Sequence, residues 1–210
     1  KNGFLFEAAY TYSRSLGSQV GQNQFVNENG PTAYDRPQSF TISYVYDLPF
    51  FHDSRSLEAY TLGGWEVSGV STFQGGTPVT VTISADRAGV GNTGQRPNVT
   101  GPVTYQHGDI NNYFSTANFS QPALGTFGNL GLNTIRQPGL NSTQFNLSKK
   151  ATFRLVGDTP VTAKFEGEFF NLFNHPAFNG LGTTVGAATF GKITSALDPR
   201  NVAFKLKFSF

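Results

Sequence analysis

The chain has 210 residues, a net charge of +2 and only 13% charged side chains, against about 25% in ordinary soluble domains. That length allows one domain or a large piece of a bigger one, and so small a charge, with no segment that interleaves Lys or Arg with stacking aromatics, argues against a nucleic-acid partner. Cys is absent, which excludes a disulfide framework, a zinc knuckle or a thiol redox pair, and no run of 18 apolar residues is present to form a membrane-spanning helix.

Aromatic residues make up 14% of the chain, 21 of them Phe, beside 24 Gly. This is a vocabulary of strands and turns. The chain opens on Lys1-Asn2-Gly3 without a signal peptide, which reads as a processed or partial chain. Alternation of period two, the mark of a half-buried strand, begins at once. Phe4, Phe6, Ala8, Tyr10 and Tyr12 alternate with Leu5, Glu7, Ala9, Thr11 and Ser13. A long loop follows over 15–37. In the second strand Phe40, Ile42, Tyr44, Tyr46 and Leu48 alternate with Ser39, Thr41, Ser43, Val45 and Asp47. A moderate connection leads from Leu48 to Leu62. From Trp65 the odd positions stay apolar through Val67, Phe73, Val79, Val81 and Ile83, across Gly75-Gly76.

The second long loop, 84–140, is rich in Gly, Asn and Pro and has room for further short strands around Val99–Tyr105. Beyond it, Phe145, Leu147, Ala151, Phe153 and Leu155 oppose Gln144, Asn146, Ser148, Lys150, Thr152 and Arg154, and only Lys149 breaks the apolar face. A short turn with Gly157-Asp158 and Pro160 joins Leu155 to a segment running from Val161 to Phe173, where Lys164, Glu166 and Glu168 share one face. A third long loop covers 174–199. The last strand alternates most cleanly, with Val202, Phe204, Leu206, Phe208 and Phe210 opposed to Asn201, Ala203, Lys205, Lys207 and Ser209.

The expectation is an all-β, antiparallel up-and-down meander of six to eight strands in a single domain, with short turns at one end and long loops at the other. Membrane β-barrels are arranged across the bilayer in this way. A soluble β-sandwich alternates similarly. Two features favour lipid. Phe and Tyr dominate one face, including near strand ends, and Lys, Arg, Glu, Gln and Asn occupy the other. The strand ending in Phe210, with apolar partners at alternate positions, also has the form of an outer-membrane assembly signal.

No chemistry-bearing constellation stands out, and the expectation is a protein that is not an enzyme, with no catalytic residues, no metal ligands and no cofactor. Gly89, Gly91 and Gly94 match G-x-G-x-x-G, but Gln95-Arg96-Pro97-Asn98 follows where a dinucleotide site needs a helix. That stretch reads as a flexible loop. His52, His107 and His175 are far apart in sequence and lack metal-ligand spacing. His175, between Asn174 and Pro176, is placed to cap a strand-to-loop turn. Glu166 and Glu168 lie about 7 Å apart on a strand, whereas a retaining glycosidase pair needs about 5 Å. With Lys164 beside them they read as a salt-bridged wall. No G-x-S-x-G elbow is present, and the sequons at Asn98, Asn118 and Asn141 read as polar loop residues.

The stretch KFEGEFFNLFNHPAF from Lys164 to Phe178 carries a more specific signal, through Glu168, Phe169, Asn171, Phe173, Asn174, His175 and Pro176. Together with Ala8–Arg14, Tyr44–Phe50, Gly63–Gly69, Gly76–Pro78, Gly128–Gly131, Phe190–Ala196 and Asp198–Arg200, in that order, it resembles the C-terminal barrel region of Oar-like TonB-dependent receptors of the acidobacterial type. Leu132 departs from the pattern, standing where such receptors carry Arg. The resemblance covers about the last quarter of a barrel of about 22 strands. The plug domain and TonB-contacting segment of such receptors have no counterpart in these 210 residues.

The resemblance implies an outer-membrane location, with lipid and the rest of a barrel as partners and a role in importing a scarce ligand. Six strands are too few to close a membrane barrel, and open edges are not tolerated in lipid. A chain of this kind therefore belongs to a longer barrel, closes with extra strands, or pairs edge to edge with other copies of itself. The last route implies a receptor-derived module assembling into an extracellular filament. A soluble carbohydrate-binding sandwich is the third reading.

Overall fold

The computed structural model describes residues 3–50, 61–154 and 160–210. Leu155, the Gly157-Asp158 turn and His52 lie outside the described residues. In chain order the strands are β1 (Phe4–Tyr12), β2 (Leu16–Val20), β3 (Asn27–Pro31), β4 (Gln38–Asp47), β5 (Trp65–Gln74), β6 (Pro78–Val79), β7 (Thr82–Ile83) and β8 (Asn98–Val99). They continue with β9 (Phe119–Ser120), β10 (Ile135–Arg136), β11 (Leu140–Arg154), β12 (Pro160–Phe170), β13 (Phe178–Leu181), β14 (Thr184–Val185), β15 (Ile193–Ala196) and β16 (Asn201–Ser209).

Six long strands form one antiparallel sheet in the order β1-β4-β5-β11-β12-β16, each beside its nearest long neighbour in sequence. The expected meander is therefore present, with six strands in the wall. The short strands near Val99 pair within the loops instead: β8 with β9, and Tyr105 bridged to Phe114. Because β1 runs toward the 13–37 loop and each neighbour reverses, the three long loops all leave one end of the sheet. At the other end β4 and β11 finish, β5 and β12 begin, and the chain reaches Phe210.

The register carries the sequence alternation across the whole sheet. Residues directly opposite one another in antiparallel strands put their side chains on the same face. One such row reads Phe4, Tyr46, Val67, Leu147, Gly167, Phe204, and the next reads Phe6, Tyr44, Gly69, Phe145, Phe169, Val202. Between them lies a row of the opposite parity: Leu5, Val45, Ser68, Asn146, Glu168, Ala203. A one-residue slip anywhere would exchange the two faces.

Strand ends differ from the sequence expectation in two places, both for backbone reasons. Alternation from Trp65 was expected to continue to Ile83, yet β5 ends at Gln74. At Gly76 the chain passes so close to the Gln137 carbonyl that an added Cβ would collide with it, and beyond it Val81 enters a separate core while Ile83 is buried in β7, paired with β14. The segment expected to reach Phe173 ends at Phe170, because Asn171 adopts φ +52°, a left-handed conformation that Asn tolerates and that stops a strand. Phe173 is left exposed.

Candidate functional site

The six-stranded wall has two chemically distinct faces. On the apolar face Phe4, Phe6, Tyr10, Phe204, Leu206 and Phe208 are each more than half exposed, with no second layer of the described chain packed over them. A sandwich would bury this face against another sheet, so the soluble reading has lost its central requirement. The rings instead pack along the sheet surface. Phe4 meets Tyr46 edge-on at 5.6 Å, Phe40 stacks on Phe73 at 6.2 Å, and Phe165 stacks on Phe204 at 5.9 Å. Tyr44 leans over Gly69, and Phe204 over Gly167, filling the space that a missing side chain leaves.

The predicted apolar positions come together on this face. Val202, Phe204, Leu206 and Phe208 of β16 stand opposite Phe169, Gly167, Phe165 and Ala163 of β12. Phe145, Leu147 and Phe153 of β11 share the same side, opposite Phe169, Gly167 and Val161. Phe210 follows the last paired residue, Ser209, and is 90% exposed.

The other face is polar and hollow. Toward the short-turn end a hollow of about 700 Å³ is lined by charged residues including Asp47, Glu66, Lys150, Lys164 and Lys207. Nearer the middle a hollow of about 320 Å³ meets Leu5, Val45, Val70, Asn146 and Phe170. Lys164 pairs with Glu166 at 2.5 Å and Lys205 with Glu168 at 2.6 Å. The two glutamates thus belong to a salt-bridged wall, as their spacing beside Lys164 had indicated.

The motif around Glu168 organises the exit from β12. Glu168 points to the polar face and Phe169 to the apolar one. The Asn171 carboxamide accepts from the His175 backbone N–H at 3.0 Å and donates to the His175 carbonyl at 3.0 Å. Asn174, also at φ +52°, accepts the Arg200 backbone N–H at 2.9 Å. The two asparagines therefore hold this turn, and His175 contributes its backbone. His175, expected at the cap of this turn, takes part through its backbone, held by Asn171, because an Asn side chain both mimics a peptide group and tolerates the left-handed backbone.

The long loops are folded against one another. Val81, Tyr113, Phe114, Phe119, Leu130 and Ile135 form a buried core, with Phe190 packed edge-on to Phe114 at 5.5 Å. Two ion pairs tie distant loops together. Asp35, fully buried, accepts the Ser15 backbone N–H at 2.6 Å and pairs with Arg136, whose Nη1 also donates to the Gly76 carbonyl at 3.0 Å. Arg96, itself buried, pairs with Glu28, while Gln22 bridges the Arg96 N–H and the Gly128 carbonyl. The hydrogen bond from Arg136, and then that from Ser15, hold the Asp35 carboxyl below its ordinary value.

The glycine-rich stretch closes on a carboxylate. Asp86 accepts backbone N–H groups from Gly89, Val90 and Gly91, and Gln95 braces it at 2.5 Å. Burial pushes the Asp86 carboxyl up, but these hydrogen bonds outweigh it and lower the pKa overall. Gly89, Gly91 and Gly94 all have positive φ, so this is a wound turn and no helix start. The loop expected to be flexible is held by its own hydrogen bonds.

His107 and His175 line one hollow of about 730 Å³ under the loops, together with Tyr105, Tyr113 and Arg136. Burial, reinforced by Tyr105, pushes the Tyr113 phenol up to about 12. Among the described residues no group of three or more His, Asp or Glu is placed to hold a metal ion. Sequence reasoning missed the Asp35–Arg136 and Glu28–Arg96 pairs. The one available signal was the presence of isolated charges in loops otherwise made of Gly, Asn and Pro. A protein-family model described as an outer membrane beta barrel domain matches residues 1–203. No curated protein and no solved structure matches the chain.

Proposed function

We propose, from the premise that the chain belongs to the family of outer membrane β-barrel domains, that it is a wall segment of a TonB-dependent receptor of the Oar-like type. The bacterial outer membrane is its location. In this reading the apolar face meets lipid, the polar face lines the lumen, and the folded loops stand on the extracellular side. The segment contributes structure and no catalysis, and the rest of a barrel supplies its remaining neighbours. The whole receptor imports a scarce ligand with energy from the inner membrane. The last strand, Val202 to Phe210, carries the assembly signal.

The observation that carries this reading is the row of exposed Phe and Tyr side chains on one face of the sheet, while among the described residues of the six strands every charge but Lys149 gathers on the other. Lipid solvates exposed Phe rows that water would not, and strands are one of the two backbone forms that can cross it. The KFEGEFFNLFNHPAF stretch and its companion motifs support the receptor type. The test has two parts. The protein should partition into detergent and migrate differently on gels before and after heating, and its gene should encode a plug domain upstream of Lys1. A protein that stays soluble and monomeric without detergent ends the barrel reading, and a gene lacking a plug ends the receptor reading.

The sheet edges favour a second reading. Within this chain β1 and β16 each have a single neighbour in the wall, and such edges template pairing with another copy. A receptor-derived module that polymerises through these edges would sediment without detergent and appear as fibres by electron microscopy.

A further inference from the structure

Among the described residues of the six strands, Lys149 is the only charged side chain on the aromatic face. Its surroundings are built. The ammonium lies 5.0 Å from the centre of the Trp65 ring and donates to the Gly63 carbonyl at 2.6 Å and the Thr61 carbonyl at 2.9 Å. An ammonium has three N–H donors, so one remains. Beside it a shallow apolar groove of about 450 Å³ is lined by Leu48, Phe50, Leu62, Trp65 and Leu147.

The depth of Lys149 is fixed by register. It stands opposite Trp65, and Asn141 stands opposite Phe73 near the loop end. Those rows are eight residues apart, about 27 Å along a strand. At a barrel strand tilt of about 40° this is about 20 Å of depth, close to the roughly 25 Å apolar band of such walls. Phe145 lies midway. Lys149 therefore sits at the rim on the short-turn side, at the level of lipid phosphates, with the groove opening beside it toward the apolar band.

We infer that Lys149 and this groove bind one anionic phospholipid, its phosphate on the remaining N–H of Lys149 and an acyl chain against Trp65 and Leu147. The inference rests on the reading that the aromatic face meets lipid. A cation beside an apolar trough complements a molecule that is anionic at one end and aliphatic along the rest. The Trp65 ring and the two carbonyls hold the ammonium in place, so the site is formed before the lipid arrives.

Trp65 is the single tryptophan of these 210 residues and lies in the site, so in the full-length protein, with any tryptophan outside this segment replaced by Phe, its fluorescence reports occupancy. The protein is folded into phosphatidylcholine vesicles containing increasing fractions of brominated phosphatidylglycerol or brominated phosphatidylcholine. Bromine at Trp65 quenches its emission, and the two quenching curves give the relative association constant of the anionic lipid. A near-surface Lys is expected to favour the anionic lipid about fivefold. That preference should survive in Lys149→Arg, fall to about one in Lys149→Gln, and persist in Lys150→Gln on the opposite face.

High salt should also drive the preference of the unaltered protein toward one, a result that needs no variant to fold. Equal quenching by the two lipids, or an unchanged preference in Lys149→Gln, overturns the inference. So does loss of the preference on adding millimolar inorganic phosphate, which would identify a site for free phosphate. If neither lipid quenches Trp65, the lipid-facing wall itself fails, a result distinct from loss of selectivity alone.

Discussion

The wall and the loop region solve opposite solvent problems with the same residue types. In the wall, Phe204 and Phe208 are 67% and 51% exposed while their strand neighbours turn to the polar face, where Lys205 pairs with Glu168 and Lys207 lines a hollow. In the loops, Phe114 is fully buried and the charges that enter the interior, Asp35 and Arg96, do so in pairs. The loops follow the rule of a water-soluble domain, in which buried charges require partners. The wall inverts it. Within one chain, the surrounding medium decides which side of a Phe-rich strand is the outside.

The comparison can be broken most severely in the loop core. Phe114→Ala should cost about 3–5 kcal/mol, as for other fully buried aromatics. Hydrogen exchange would register it as lost protection at Tyr113, Phe119 and Ile135, with the β11–β12 amides unchanged. Next in size is a charge at mid-depth on the wall. Phe145→Arg should destabilise the bilayer-folded protein by about 2–4 kcal/mol in denaturant titrations, while Gln144→Arg, one residue away on the polar face, should sit near zero. Equal costs at 144 and 145 would remove the distinction between the faces.

A smaller, pH-dependent effect belongs to Asp35. Its folded-state pKa is lowered, so its contribution to loop stability is fully present above the ordinary carboxylate value of 3.8. That contribution is lost as the pH falls through the lowered value. Protease resistance of the loops should therefore drop as the pH falls below about 4. Asp35→Asn should show lowered resistance already at neutral pH and lack the acid step. The smallest change is expected at the exposed pair on the polar face, where Glu168→Gln should alter stability by at most about 1 kcal/mol.

The wall was legible in the sequence because its signal is local. Period-two alternation assigns Phe4, Phe40, Phe145 and Phe204 to faces without knowledge of any partner, and antiparallel neighbours then align those faces row by row. The loops hid their organisation because it is not local. Asp35 meets Arg136 across 101 positions and Gln22 reaches the Gly128 carbonyl across 106. Nothing in Phe114 or Ile135 announces a shared core when each stands among turn residues, and Val81 read as the continuation of a wall strand. The Glu168–Pro176 stretch was recognisable as a pattern, but its physical content, two asparagines in left-handed conformation closing a turn, became visible only with coordinates. Strand ends were overrun at Phe173 and beyond Gln74, because backbone collisions and positive φ values leave no trace in hydropathy.

The central claim is that the aromatic side of the wall faces hydrocarbon. Because the chain contains no Cys, single cysteines placed from Val202 to Ser209 can each carry a spin label in the bilayer-folded protein. The account predicts that labels at 202 and 204 collide mainly with dissolved oxygen, with a weaker oxygen preference at 206 and 208, which lie at and beyond the Lys149 row. Those at 203, 205, 207 and 209 should collide mainly with a water-soluble nickel chelate. A profile without that two-residue period, or with the two sets exchanged, would contradict it.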